Sequence, residues 1–369
     1  TGILLGPNVL NLLDSSILLI SPQLRQMALI IILLKAGLSL NLSDLRQVGR
    51  PAVMMAFVPA SFELLAFVLC GPFILGISYI EAALMGAVLA AVSPAVVIPR
   101  MVQLMDEKYG TNKSIPQMIL AGASCDDIFV IVLFSTFLGM AQGGNARAAD
   151  FFNIPVSIVL GILMGAGFGY GLSLFFERAY EKKCCIRNSM KTVIVLGMSF
   201  LLMSIETWLQ DMVSVSGLLA VVSMACVIKI KSVPIVSRRL SEKFGKLWIA
   251  AEVMLFVLVG AAADVRYTLD AGAAAVLMIA IALIFRAAGI CLCLAGTKLN
   301  RKERLFSVIA YLPKATVQAA IGSVPLAAGL ACGQLVLSVA VLSILITAPL
   351  GAVGMDLIYK RCLEKEELA

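Results

Sequence analysis

The chain has 369 residues, of which 61% are hydrophobic and only 14% charged, with a formal net charge of +7 and a mean hydropathy of +1.00. Soluble domains average about half apolar and a quarter charged, so a soluble globule, a disordered chain, a collagen and a disulfide scaffold are all excluded. Histidine is absent, which removes imidazole as metal ligand, catalytic base or pH switch.

Apolar runs fall at about 1–12, 24–41, 52–73, 80–102, 114–141, 153–177, 190–207, 213–229, 245–264, 271–297, 303–329 and 334–357. The first reads as a partial helix and the others as bilayer-crossing helices. The ~10-residue alternating segments of a membrane barrel are missing. Ser21-Pro22, Asn41-Leu42-Ser43, Gly71-Pro72, Gly143-Gly144 and Lys298-Leu299-Asn300 read as turns between runs. The opening Thr1-Gly2-Ile3-Leu4-Leu5-Gly6-Pro7 has neither Met nor a basic segment and reads as a cropped helix, not a signal peptide. Nine cysteines carry no CxxC spacing; Cys226, Cys291 and Cys293 read as small core residues, and Cys184 and Cys185 lie in a basic loop.

Lys and Arg sort by loop. One set of alternate loops holds 23 of the 29, from Arg46 and Arg50 to Lys360, Arg361 and Lys365, and the other holds only Arg25, Arg147 and Arg266. The rich side is cytoplasmic by the positive-inside rule, which places the C-terminus inside.

Two runs share an interruption: Ser93-Pro94-Ala95-Val96-Val97-Ile98-Pro99 and Leu312-Pro313-Lys314-Ala315-Thr316-Val317. Proline in mid-span frees backbone carbonyls, and such breaks are tolerated where they line a cavity. The loop assignment runs the two segments in opposite directions, and pairing the first five runs with the last five reverses direction at every step. This is the inverted repeat of secondary transporters. The fold expected is therefore all-α and polytopic, with about 12 spans and two broken, crossing helices. The chain divides as one transporter domain over 1–369. Residues 1–75 hold mostly dimerisation or scaffold helices plus the start of the first repeat, and 80–141 the core half with the first break. Residues 153–207 hold linker helices and 213–357 the second repeat.

An ionisable group at the bilayer centre costs roughly 2.5–3.5 kcal/mol and marks function. Asp126 and Asp127 lie near the middle of the 114–141 run, and adjacent residues on a helix point ~100° apart, so the two can address different partners. Lys314, inside the second break, is the nearest counter-charge for Asp126. Glu63 and Arg286 hold corresponding places in the two repeats and suit a buried ion pair, in which arginine is a fixed charge. Lys35 and Glu252 sit nearer the cytoplasmic ends and read as rim charges. Two acids beside hydroxyls and freed carbonyls form a hard-oxygen site for Na⁺ or Li⁺ on Asp127 and Asp126, with Ser93, Thr316, Ser124 and the Pro94 break as neutral neighbours. A bound cation and a proton then compete for one carboxylate, which is an exchange mechanism. A cation channel or efflux system, or a sodium-coupled organic solute symporter, are the alternatives on such an architecture. No zinc motif or GxSxG supports an enzyme, and neither a cofactor nor a nucleic-acid partner is expected.

The Gly122-Ala123-Ser124-Cys125-Asp126-Asp127 helix, the Val92-Ser93-Pro94-Ala95-Val96 break and the stretch Leu312-Pro313-Lys314-Ala315-Thr316-Val317-Gln318-Ala319-Ala320 resemble the monovalent cation:proton antiporter superfamily, in its NHA-type sodium/proton exchanger branch. Gly2-Ile3-Leu4-Leu5-Gly6-Pro7 and Lys35-Ala36-Gly37-Leu38 resemble it too. The resemblance implies a 13-helix exchanger, a homodimer in cell-membrane lipid, and a core domain moving in elevator fashion. It assigns the transported ion to the second aspartate, Asp127, with Asp126 supporting. Electrogenic members commonly carry a lysine where Arg286 stands here.

Overall fold

The computed structural model describes residues 2–7, 10–39, 49–142, 148–181, 186–209, 215–262 and 272–365. The described elements are α1 (Gly2–Leu5), α2 (Ser15–Leu19), α3 (Ser21–Ser39), α4 (Arg50–Met55), α5 (Val58–Leu75), α6 (Tyr79–Ala90), α7 (Pro94–Asp106), α8 (Ile115–Gln142), α9 (Ala148–Glu181), α10 (Asn188–Leu209), α11 (Gly217–Lys231), α12 (Pro234–Ala262), α13 (Gly272–Cys293), α14 (Arg301–Ala310), α15 (Thr316–Ile321), α16 (Val324–Ala327) and α17 (Gly333–Cys362). Among the described residues, seven stretches are long and apolar enough to cross a bilayer: 50–75, 115–142, 159–179, 188–209, 234–262, 272–293 and 333–362. The interrupted helices α6–α7 and α14–α15 are not among these, because each half is too short to span alone. The result is an all-α membrane protein with two broken, crossing helices.

Several boundaries differ from the sequence pattern. Among the described residues of the 1–12 run, only Gly2–Leu5 are helical. Pro72 does not end its helix: it sits inside α5, and the turn comes at Gly76, whose φ of 67° suits glycine. Near a helix end a proline removes one hydrogen bond that the frayed last turn gives up easily. The 52–73 run is split at Ala56–Phe57, just before Pro59. The basic segment before the 245–264 run is helical from Pro234 onward, since proline is well placed in a first turn. Cys293 is buried and Cys226 half-buried, but Cys291 is exposed on α13 and is no core residue. Asn41–Ser43, Gly143–Gly144, Cys184 and Cys185 lie outside the described residues.

The chain forms two compact units, one of Thr1–Leu12, Asn41–Val130 and Val259–Ala369, the other of Leu13–Leu40 and Ile131–Leu258. Each draws on both repeats. Helix α5 belongs to the first unit and α3 to the second.

In the second unit α11 packs between α9 and α3. Lys35 Nζ lies 5.3 Å from the centroid of the Trp248 ring, a cation–π contact that accommodates a lysine on an apolar helix.

In the first unit α5 packs on α13 and α6. A Cβ at Gly289 would stand 3.1 Å from Pro59 Cα and 3.2 Å from Phe62 Cβ. Glycine there lets α13 and α5 approach closely, and in lipid such packing, not hydrophobic exclusion, drives association. At one end the loop before α8 is tied to the end of α17: Gly110 N–H donates to the Glu364 carbonyl at 2.8 Å. Lys113 Nζ lies 2.7 Å from Glu303 Oε1 and 3.7 Å from Glu364 Oε2. The buried Glu303 also caps α14, accepting from the Asn300 N–H at 2.7 Å.

Candidate ion-binding site

Helix α6 stops at Ala90 because the chain turns extended at Ala91 (ψ 144°), three residues before Pro94, which has no N–H. The last carbonyls of α6 lose their intrahelical partners. Helix α14 stops at Ala310 in the same way, ahead of Pro313, and α15 restarts at Thr316. The two interruptions meet: the Ser93 N–H donates to the Pro313 carbonyl at 2.7 Å.

Side chains of the second repeat supply the donors that the broken α6 lacks. Arg286 Nη1 donates to the Ala90 carbonyl, and Lys314 Nζ to the Leu89 carbonyl. Gln318 Nε2 donates to the Ala91 carbonyl at 2.7 Å. Two of these three donors are cations placed at a helix C-terminus, where the backbone dipole favours positive charge. The second break is held likewise. The Lys314 N–H donates to Thr347 Oγ1 at 3.0 Å, and the Ala315 N–H to Gln318 Oε1 at 2.9 Å.

Four charges lie at this crossing, all buried. Glu63 of α5 faces two cations: its Oε2 is 2.6 Å from Arg286 Nη1, and its Oε1 is 2.7 Å from Lys314 Nζ. Arg286 also reaches Asp126, with Nη2 3.8 Å from Oδ2, and its Nε donates to the Tyr311 carbonyl at 2.7 Å. Asp126 Oδ2 accepts from the Val92 N–H at 2.7 Å, tying α8 to the first break. Two acids and two bases balance. Removing one member of such a set is costly, because the remaining charge stays buried.

The sequence reading set Lys314 against Asp126. In the structure Lys314 is engaged by Glu63, and Arg286 is the cation beside Asp126. Asp127, next on α8 and only 6% exposed, is the fifth charge of the region. Ser93 is fully buried at the N-cap of α7 and its Oγ has no protein hydrogen-bond partner. Thr316 is buried in the first turn of α15. The side chains of Ser124 and Pro94 lie outside what the structure describes. Tyr311, Gln318 and Thr347 belong to the site and were not singled out from sequence. Gln318 was the findable one: it follows Lys314 by four residues in an otherwise apolar stretch. Among the described residues, no group of three or more His, Cys, Asp or Glu side chains forms a metal cluster.

The model of the family described as "Sodium/hydrogen exchanger, transmembrane" matches residues 1–358. Sodium/hydrogen exchanger 9B2 of Mus musculus is 33% identical over 358 residues, covering 94% of this chain and 64% of the relative. Sodium/hydrogen exchanger 9B1 of Homo sapiens is 32% identical over 357 residues, covering 93% of this chain and 67% of the relative. The chain thus spans about two thirds of the length of the curated relatives it matches. The solved structure of the sodium proton antiporter MjNhaP1 from Methanocaldococcus jannaschii at pH 8 superposes with a TM-score of 0.78. That match has 20% identity and covers 97% of this chain and 90% of that one, a likeness of fold.

Proposed function

Because the chain belongs to the sodium/hydrogen exchanger family, we propose that it exchanges Na⁺ or Li⁺ for protons across a membrane by alternating access, with proton and cation competing for Asp127. The observation that carries this reading is the bond from Val92 N–H to Asp126 Oδ2. It fastens the adjacent aspartates to the place where two helices are unwound and backbone oxygens are freed. A monovalent cation needs oxygen ligands, and carboxylate and carbonyl groups are hard donors of that kind. Asp126 is held by Val92 and Arg286, and the resemblance of the Gly122–Asp127 segment to the exchangers assigns the exchanging role to the second aspartate, Asp127.

Glu63, Asp126, Asp127, Arg286 and Lys314 all belong to one compact unit. That supports an elevator-type cycle, in which the site travels as one body. In this reading the protein is a homodimer in the cell membrane, its C-terminus cytoplasmic, with lipid as its surroundings and no cofactor. The test is reconstitution of the chain into liposomes carrying a proton gradient. Na⁺ or Li⁺ should dissipate the gradient, and failure of both, with the protein folded and inserted, would sink the proposal.

A further inference from the structure

The Tyr311 hydroxyl is not used by the site as described. Tyr311 is fully buried, its carbonyl receives Arg286 Nε at 2.7 Å, and its ring centroid lies 5.6 Å from the Arg286 guanidinium carbon. Its hydroxyl lies against α8 at Gly122: a Cβ there would overlap Oη, while standing 3.4 Å from Cζ. Gly122 is four residues before Asp126, hence on the same helix face, and helical side chains lean toward the N-terminus, so the Asp126 side chain leans toward the hydroxyl. Three buried polar atoms of this neighbourhood have no protein hydrogen-bond partner: Tyr311 Oη, Asp126 Oδ1 and Arg286 Nη2. Buried polar groups in folded proteins are satisfied as a rule, by protein or by water.

The chemistry of the three atoms selects what joins them. Arg286 Nη2 can only donate and Asp126 Oδ1, as a carboxylate oxygen, can only accept. A bare cation would face the guanidinium and an anion would face the carboxylate. Only a ligand that donates and accepts at once suits both, which is a water molecule with two to three polar partners. We propose that Tyr311 is a positioning residue: its hydroxyl, seated on Gly122, holds a buried water that fixes the Asp126 carboxylate beside the first helix break. The proposal rests on the exchanger reading for its functional consequence, because Asp126 shapes the site in which Asp127 binds the cation.

The test uses Tyr311→Phe, Gly122→Ala and the double variant, reconstituted in liposomes, with thermal melts in detergent beside the Na⁺ kinetics. Tyr311→Phe should raise the KM for Na⁺ about fivefold, the loss of one hydrogen bond's worth of affinity, with maximal rate little changed. Gly122→Ala alone should lower the melting temperature, because its methyl meets the hydroxyl. The double variant should recover part of the melting temperature, since the methyl then meets Cζ at 3.4 Å and keeps only the tight 3.0 Å contact with Met55 Cβ, yet keep the raised KM. A wild-type KM in folded Tyr311→Phe, or a double variant that recovers both quantities, would overturn the proposal. Absence of Na⁺-driven proton movement in the wild type would instead overturn the exchanger reading, while the melts still report whether the hydroxyl occupies the space above Gly122.

Discussion

The Lys314 ammonium lies 2.7 Å from Glu63 Oε1, on the carboxylate oxygen opposite the one that the Arg286 guanidinium takes. One carboxylate thus links the broken α14–α15 segment to α13. With Asp126 beside Arg286, the four charges sum to zero, and all four side chains are buried.

Breaking that balance at one member should cost more than breaking it at two. Glu63→Gln leaves an excess positive charge and Arg286→Gln an excess negative one, each typically worth ~3–5 kcal/mol for a buried pair. The Glu63→Gln/Arg286→Gln double variant restores neutrality, leaving Lys314 and Asp126. Its melting temperature in detergent should fall by clearly less than the sum of the single losses. Additive losses would mean that the two groups are not energetically coupled.

Asp127→Asn should leave the fold and the melting temperature near wild type while Na⁺-driven proton movement drops to that of empty liposomes. Asparagine has nearly the same shape but offers neither a charge for the cation nor a group to protonate. Robust exchange in the folded variant would remove Asp127 as the carrier.

Exchange should be electroneutral. The Lys314 ammonium is held by Glu63 and the Leu89 carbonyl, and Arg286 does not deprotonate in proteins, so neither is the group that proton and cation share in the proposed exchange. In the proposed exchange one proton would then leave Asp127 for each Na⁺ that arrives. Solid-supported-membrane recordings on Na⁺ concentration jumps should show no sustained current. A sustained current that disappears in Lys314→Arg would make Lys314 a second proton carrier.

The clamp between the loop before α8 and the end of α17 should not set the pH response. Its hydrogen bond to Glu303, and the nearby Glu303 and Glu364 charges, raise the Lys113 pKa above its usual value. A cation stabilised in this way contributes fully below its ordinary pKa, ~10.4, and is lost only as pH rises through the higher folded value. Lys113→Gln should therefore lower the melting temperature by the same few degrees from about pH 6 to about pH 9. A difference that vanishes inside that window would assign the loop a titration it lacks here.

The two breaks were legible because Pro94 and Pro313 act locally: each removes an N–H and forbids the helix behind it, whatever the rest of the chain does. The depth of Asp126 could likewise be counted along its own run. The Glu63–Arg286 pair was legible from the matching places of the two residues in the repeats, but the partner of Lys314 was not. The partners Glu63 and Lys314 are joined only through how far α5 and the α14–α15 segment slide past each other, and periodicity gives the face of a helix, not that offset. Tyr311 was hidden for a related reason. Periodicity does not say which neighbour a tyrosine inside the 303–329 run meets, and only the glycine opposite it, at 122, shows that its hydroxyl points toward α8.

The carbonyls that end α6 wait a long time for their donors. Ala90, Leu89 and Ala91 are separated from Arg286, Lys314 and Gln318 by 196, 225 and 227 residues. At ribosomal rates of roughly 5–20 residues per second, the interval is roughly 10 to 45 s. Through that interval the first broken helix has emerged with backbone oxygens that hydrocarbon cannot solvate. It cannot settle in lipid on its own, so during biogenesis it must stay where water or a protein insertase reaches those oxygens. The first repeat is thus a nascent chain that depends on the second for its place in the bilayer.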